Sequence, residues 1–353
     1  MSRHSWLTVA GSLLLMLLLL FLPQLSDSEY YVHLANMVGI SVMLTLSLNL
    51  VFGYTGQISV GHAAFYAIGA YTAAIVMTKF HWPFWLAVPA SMISAGLIGA
   101  LLGIPALRLK GYYLAMATLG FAVVTYVVLR QWGPVTGGAM GLTGIPRPKL
   151  FGHEFNDESS YYYLILAATL FTFFIVRNII ASPIGRAMMA VRESETAAES
   201  LGVNVTKYKI MAFIISSALA GLGGSMFAPL SRYVSPDGFT LVPSIVILSM
   251  LVIGGLGSHL GAVLGGALMV LLPEFIGFVG GYRVFVYSVC LLLVIVFMPE
   301  GLAGMVKHFT AFARMRFVAS GIQSQLDSDV LARDAAGQPM ESSLERPIKE
   351  EVK

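Results

Sequence analysis

The sequence predicts an all-α, polytopic membrane helix bundle of about ten transmembrane helices. Three observations carry that expectation. Hydrophobic residues make up 57% of the 353-residue chain and charged residues only 11%, against roughly 25% charged in a soluble globular domain. Long apolar runs recur along the chain, each near the ~20 residues that a helix rising ~1.5 Å per residue needs to cross ~30 Å of hydrocarbon. The runs also lack the alternation of polar and apolar positions, over about ten residues, that marks a barrel strand.

The first run, Leu7–Leu22, follows a basic start at Arg3 and His4, a pattern it shares with secretory signal peptides. No Ala-x-Ala site follows it, Ser26 and Ser28 being the nearest small pair, so it reads as a retained span. Spans then follow at Leu34–Phe52, Val60–Thr78, Phe84–Ile104, Tyr112–Gln131 and Tyr161–Arg177. A polar segment, Ala181–Lys209, interrupts the series before Tyr208–Leu230, Leu241–Leu256, Gly261–Val279 and Arg283–Met298. The loop Gly133–Ser160, rich in Gly and Pro, is expected to be irregular. Residues 1–306 thus form a transmembrane domain, and 307–353 a polar cytoplasmic tail. Beyond about 321 that tail mixes its charges and lacks aromatics, so it is expected to be largely disordered.

A cytoplasmic N-terminus places Arg3, Arg108, Lys110, Arg177, Arg186, Arg192, Lys207, Lys209, Lys307, Arg314 and Arg316 inside. Only Lys79, Arg130, Arg147, Lys149, Arg232 and Arg283 then lie outside, the imbalance that the positive-inside rule requires. Both termini are expected in the cytoplasm. Six crossings return the chain there at Ala181, so the polar segment faces the cytosol. The net charge of +3 is explained by this orientation and calls for no nucleic acid.

Most of the 36 glycines, as in Gly96-x-x-Gly99-x-x-x-Gly103 and Gly221-x-Gly223-Gly224, are expected to bring helix backbones together where lipid offers no hydrophobic drive. Two glycine-rich segments differ because they join spans. Gly53–His62 is uncharged and fits a re-entrant or broken helix buried in protein. Leu251–Gly261 echoes it, with glycines and one histidine. Such paired interruptions are the mark of an internal repeat of two halves, with the chance likeness of glycine-rich membrane sequence as the other reading.

Ionisable groups within the spans default to functional candidates, and they are few. Glu274, after Pro273, is the one clear carboxylate, placed either in the pathway or at the interface. His62 and His259 read as hydrogen-bonded packing residues. No chain of Asp, Glu or His is available to relay protons, which weakens an ion-coupled transporter. No G-x-x-x-x-G-K-[ST] run holds ATP phosphates, and no nucleophile constellation supports an enzyme. No His/Cys cluster suggests a metal, no cofactor is implied, and the lone Cys290 reads as a small buried residue. The chain is either a passive conduit or one driven by a separate protein. Asn49, Gln57, Ser59, Thr118, Ser249 and Glu274 are candidate translocation-pathway residues, being polar groups within or at the ends of spans.

The Ala181–Lys209 segment resolves into two short helices. Ser182 is a good N-cap and Pro183 suits the first helical position, giving a helix from Pro183 to about Arg192. Thr196-Ala197-Ala198-Glu199 reads as a capping box, and Gly202 is placed to end the second helix in a left-handed turn. Met188, Val191, Ala198 and Leu201 offer apolar contacts; Arg192, Glu193, Glu195 and Glu199 offer charge. The result is a compact cytoplasmic knob, or else a solvated connector with no partner.

Here the chain resembles a family. Thr196-Ala197-Ala198-x-x-x-Gly202 is similar to the E-A-A-x-x-x-G coupling motif of ABC importer permeases, with Thr196 in the acidic position. Leu46-Ser47-Leu48-Asn49-Leu50 leads into Gly53–Ala74, and the Gly111–Leu119 and Met250–Gly257 stretches follow. Together, over about Val32–Gly304, these resemble the M-type (LivM) permease subunits of branched-chain amino acid ABC importers. The resemblance implies a permease, not an enzyme, in the bacterial inner membrane. Its implied partners are a second, H-type permease, two ATP-binding subunits and a periplasmic substrate-binding protein, with membrane lipid around it. It also implies leucine, isoleucine and valine import by alternating access, with Arg192, Glu193, Glu195, Thr196, Ala197, Ala198, Glu199, Leu201 and Gly202 contacting the ATPase. The alternative is a channel or facilitator for a small polar solute such as urea or an amide. A weaker third reading is a structural subunit with no pathway of its own.

Overall fold

A computed structural model of the chain describes residues 23–24, 28–106, 109, 111–150, 153–155, 157–275 and 301–304. The first and tenth expected spans, Arg108, Lys110, Cys290 and the tail from 307 lie outside the described residues. Within them the chain is an all-α bundle: α1 (Glu29–Leu48), α2 (His62–Thr78), α3 (Phe84–Ala106), α4 (Tyr112–Gln131), α5 (Glu158–Ala181), α6 (Pro183–Glu193), α7 (Glu195–Ser200), α8 (Val205–Ser231), α9 (Leu241–Gly254) and α10 (His259–Phe275). Six helical stretches are long and apolar enough to cross a membrane: Glu29–Gly53, Phe84–Ile104, Tyr112–Gln131, Glu158–Ala181, Val205–Ser231 and Pro236–Gly254. The shorter apolar helices His62–Thr78 and His259–Glu274 fall on two further expected spans.

Helix α8 is the centre of the bundle, and small residues put it there. A Cβ at Gly221 would stand 2.6 Å from the carbonyl oxygen of Ser91 in α3, and one at Gly224 would stand 2.3 Å from that of Tyr66 in α2. Only glycine allows this approach, and close backbone contact is what holds helices together where lipid is as apolar as leucine. Polar side chains add interhelical bonds. Ser216 Oγ donates to the Ser47 carbonyl at 2.6 Å, and Tyr161 donates to the Met226 carbonyl at 2.7 Å. Met43, Leu46, Phe65, Ala70 and Leu222 fill the surrounding core.

Helix α4 is peripheral. It buries Leu114, Thr118, Ala122 and Leu129 along one stripe, while Tyr112, Met116, Val124 and Val128 point outward.

The loop expected to be irregular carries short ordered pieces: a one-turn helix at Gly133–Thr136, a 3-10 turn at Gly138–Met140 and three two-residue strands. Leu142 and Thr143 pair antiparallel with Val234 and Tyr233, and Lys149–Leu150 pairs with His153–Glu154. Glycines explain why so compact a loop closes: Gly137, Gly138, Gly141 and Gly144 all take positive φ, which costs a residue without Cβ little. Arg147 is bound beneath it to Glu158. Glu158 also accepts from Asn36 Nδ2 at 3.1 Å.

Candidate functional site

The polar segment folds into the two helices expected of it. Ser182 Oγ accepts from the Ile184 amide at 3.2 Å and Pro183 opens α6. Gly202, at φ +79°, closes α7. Its amide donates to Glu199 and the Val203 amide to Ala198, each at 3.0 Å, the paired bonds of a Schellman turn.

One cap differs from expectation. The N-cap of α7 is Ser194, which accepts from the Ala197 amide at 3.3 Å; Thr196 is the second residue of the helix. The reason lies in α6, which runs to Glu193 and closes with the Ser194 amide on the Ala190 carbonyl at 3.1 Å. Ser194, extended at φ −161°, is therefore the whole joint between α6 and α7. A helix capped by Thr196 would put two more residues, Glu195 and Thr196, in that joint.

Of the expected apolar contacts, Met188, Val191 and Ala198 are buried. Leu201 is not: it is 82% exposed. Glu193, Thr196, Ala197 and Glu199 are also exposed, so Leu201, just past the end of α7, is the one large apolar side chain exposed on a mostly polar knob. On the inner side, Lys209 Nζ meets Glu195 Oε1 at 2.5 Å, holding α7 against the start of α8.

Arg192 is exposed overall, yet its guanidinium reaches the end of α1. Its Nη1 donates to the carbonyl oxygen of Gly53. That carbonyl is free to accept because it lies in the last turn of its helix; Asn49–Gly53 forms a π-helical turn, a rare geometry that recurs at functional sites. Two glycines make room for the arginine. A Cβ on Gly56 would stand 3.2 Å from Arg192 Cγ, and one on Gly257 would stand 2.6 Å from Arg192 Nη1.

Gly257 belongs to the second glycine-rich segment, and Asn49 ties the two segments together. Asn49 Oδ1 accepts from the Gly257 amide at 2.9 Å, while its Nδ2 donates to the Ser258 carbonyl at 3.0 Å. Beside them Tyr54 OH and His259 Nδ1 lie 2.7 Å apart. The two segments that echo each other in sequence thus meet beside the Arg192 side chain of α6.

The expected pathway residues separate by what they bind. Asn49 is fully buried and both ends of its amide are used as described. Thr118, also fully buried, accepts from the Val60 amide at 3.0 Å. Ser249 bonds back to Ile245 in its own helix, and Glu274, near the end of α10, is partly exposed and has an interaction within the chain. Gln57 and Ser59 are different: buried to 5% and 1% exposure, their side-chain polar atoms find no hydrogen-bond partner among the described residues. The expected packing roles of the histidines agree with the geometry, since His62 Nε2 lies 2.7 Å from Ser47 Oγ.

Ser194 and Lys209 are the site residues that sequence reading missed as such. Ser194 had a visible signal, an N-cap residue immediately before an acidic first turn. Lys209 had none, because its pairing with Glu195 depends on how α7 folds back. Among the described residues no cluster of three or more His, Cys, Asp or Glu could hold a metal ion.

The model of the family described as the permease component of branched-chain amino acid transport systems matches residues 30–298. The chain is 35% identical over 299 residues to the high-affinity branched-chain amino acid transport system permease protein LivM of Salmonella typhimurium, covering 78% of this chain and 70% of that one. It is 34% identical, with the same coverage, to the Escherichia coli K12 LivM protein. To the LivH permease protein of Escherichia coli K12 it is 24% identical over 290 residues, 74% of this chain and 90% of that one. No solved structure matches.

Proposed function

We infer that this chain, which belongs to the permease family of branched-chain amino acid transport systems, is the M-type membrane subunit of an ATP-driven importer of leucine, isoleucine and valine. It is a multi-pass membrane transport subunit; the reading adds where its energy comes from. ATP binding and hydrolysis on two separate subunits move α6 and α7, and that motion changes which side of the bacterial inner membrane the pathway faces. A second, H-type permease completes the pathway, and a periplasmic binding protein delivers the solute from outside. Residues 1–306 form the permease domain, both termini face the cytoplasm, and the tail from 307 lies there.

The observation that carries the reading is the bond from Arg192 to Gly53. A helix built only to connect α5 to α8 has no need to reach a broken turn of α1. One that transmits motion does, and Arg192 reaches the turn from which Asn49 joins the second glycine-rich segment. Glu193, Glu195, Thr196, Ala197, Ala198, Glu199, Leu201 and Gly202 complete the ATPase-facing knob. In it, exposed Leu201 is the apolar anchor for a cleft on the partner, since an apolar side chain that fills a pocket is a common centre of binding energy. Gln57 and Ser59 are the pathway residues this reading favours.

The test is leucine uptake into proteoliposomes holding this chain, the second permease and the ATPase subunits, with loaded binding protein supplied outside. Uptake should require ATP and should vanish when the ATPase subunits are omitted. Leucine or urea flux through this chain alone, with no ATPase present, would replace the reading with a facilitator.

A further inference from the structure

We propose that the turn between α1 and α2 is a binding site for the charged headgroup of an α-amino acid, with Gln57 and Ser59 as its side-chain contacts. The proposal rests on the transport reading above and adds to it a site and the part of the solute that the site holds.

The turn carries no helix or strand from Gln57 to Ser59 and bends at Val60. Gln57, Ser59 and Gly61 are buried while Ile58 and Val60 are partly exposed. Burial thus alternates along the turn, with Gln57 and Ser59 both on the side turned into the protein. Gly61 is pressed against α4: a Cβ there would stand 2.1 Å from the Thr118 carbonyl oxygen. The Val60 amide is meanwhile held by Thr118 Oγ1. The backbone is therefore fixed, and the two buried side chains are held in place with their polar atoms unmatched.

Unmatched buried polar atoms are costly and uncommon, and each calls for a reason. Here Gln57 Nε2, Gln57 Oε1 and Ser59 Oγ all lack partners among the described residues. They lie within three positions of one another, immediately before the N-terminus of the 17-residue helix α2. The N-cap of that helix is Gly61, which has no side chain to cap it; Ser244 Oγ accepts from the Ala63 amide at 3.2 Å, and the helix end supplies no charge to balance the positive end of its dipole.

Two side-chain donors and one acceptor beside the positive end of a helix suit one chemical class. A carboxylate accepts from Gln57 Nε2 and from the Ser59 hydroxyl, and its charge is favoured by the positive end of the helix dipole. An ammonium donates to Gln57 Oε1. An α-amino acid carries both groups on one carbon. The site reads only what all such solutes share and leaves their side chains unselected. Broken helices in other transporters place helix N-termini against carboxylates in the same manner.

The test uses the assembled transporter in proteoliposomes. Gln57→Leu and Ser59→Ala should each lower leucine uptake at least tenfold, while melting temperature and assembly with the partner subunits are unchanged or improved. Uptake within twofold of wild type, with a raised melting temperature, would mean that these are buried polar groups and no more, and would overturn the site. A second measurement uses Ser59→Cys in a Cys290→Ala background. Leucine should slow its alkylation by N-ethylmaleimide during turnover at least fivefold, whereas 4-methylpentanoate and isoamylamine, each carrying half of the headgroup, should not. Equal labelling with and without leucine overturns the proposal. Wild-type import with unaffected variants removes the site alone; a wild-type complex that hydrolyses ATP without moving leucine removes the transport reading as well.

Discussion

Asn49 and Gly257, 208 residues apart, are joined by a hydrogen bond from the Gly257 amide to the Asn49 side-chain oxygen at 2.9 Å. The same side chain reaches the Ser258 carbonyl at 3.0 Å, so one buried amide group serves two backbone groups at the end of α9. Arg192 bonds the carbonyl of Gly53, four residues along the same turn, so α6 and both glycine-rich segments share one bonded cluster.

Replacing Asn49 by Ala should therefore be strongly destabilising. It strands the Gly257 amide and the Ser258 carbonyl, at roughly 1–3 kcal/mol for each buried group left unsatisfied. Thermal unfolding of the purified chain in detergent measures this, and a variant that melts with wild type would show that the two segments do not depend on Asn49.

At Gly202 the backbone sits at φ +79° and a Cβ would meet nothing within 4 Å. Space is available and conformation is the only obstacle, so the choice of residue should decide the outcome. Gly202→Val should cost about 1–2 kcal/mol in the left-handed region and separate ATP hydrolysis from leucine uptake. Gly202→Asn, which tolerates that region, should keep the two coupled. Equal coupling ratios in both variants would remove the turn from the mechanism.

Lys209 and Glu195 form an unequal pair, with side-chain exposures of 6% and 34%. Removing the carboxylate strands a buried cation, whereas removing the cation leaves a carboxylate that water can reach. Glu195→Gln should therefore destabilise more than Lys209→Met, by about 1–3 kcal/mol. The double variant should recover most of the loss. Chemical denaturation of the three variants distinguishes this order from the reverse.

Gly61 and Gly120 make a matched pair for packing in the membrane. A Cβ at Gly61 would stand 2.1 Å from the Thr118 carbonyl, and one at Gly120 would meet nothing within 4 Å. Gly61→Ala should cost about 1–3 kcal/mol through overpacking, and Gly120→Ala should be near neutral in the isolated chain. Equal effects of the two on melting temperature would contradict the close approach of α2 to α4.

Much of this was readable beforehand because it depends on neighbours in the chain. Apolar runs of membrane length marked the helices, Ser182 and Pro183 marked the start of α6, and Gly202 marked the left-handed turn, since each needs only residues a few positions away. The start of α7 was misread because Ser194 and Thr196 both have N-cap chemistry. The choice between them fell to the end of α6 at Glu193 and to the grip of Lys209 on Glu195.

Local pattern was sufficient to make this chain a membrane bundle with a polar, twice-helical interruption, because hydrophobicity and capping act over a turn or two of helix. It also showed two glycine-rich segments of similar kind. That these segments touch, that Asn49 is their link and that Arg192 reaches them from α6 were settled only when α1, α6 and the end of α9 came together. Hydrogen bonds between residues 139 and 208 positions apart leave no periodicity in a sequence. Their partners are backbone groups, which every residue carries, so nothing in the amino-acid order marks which of them will be met.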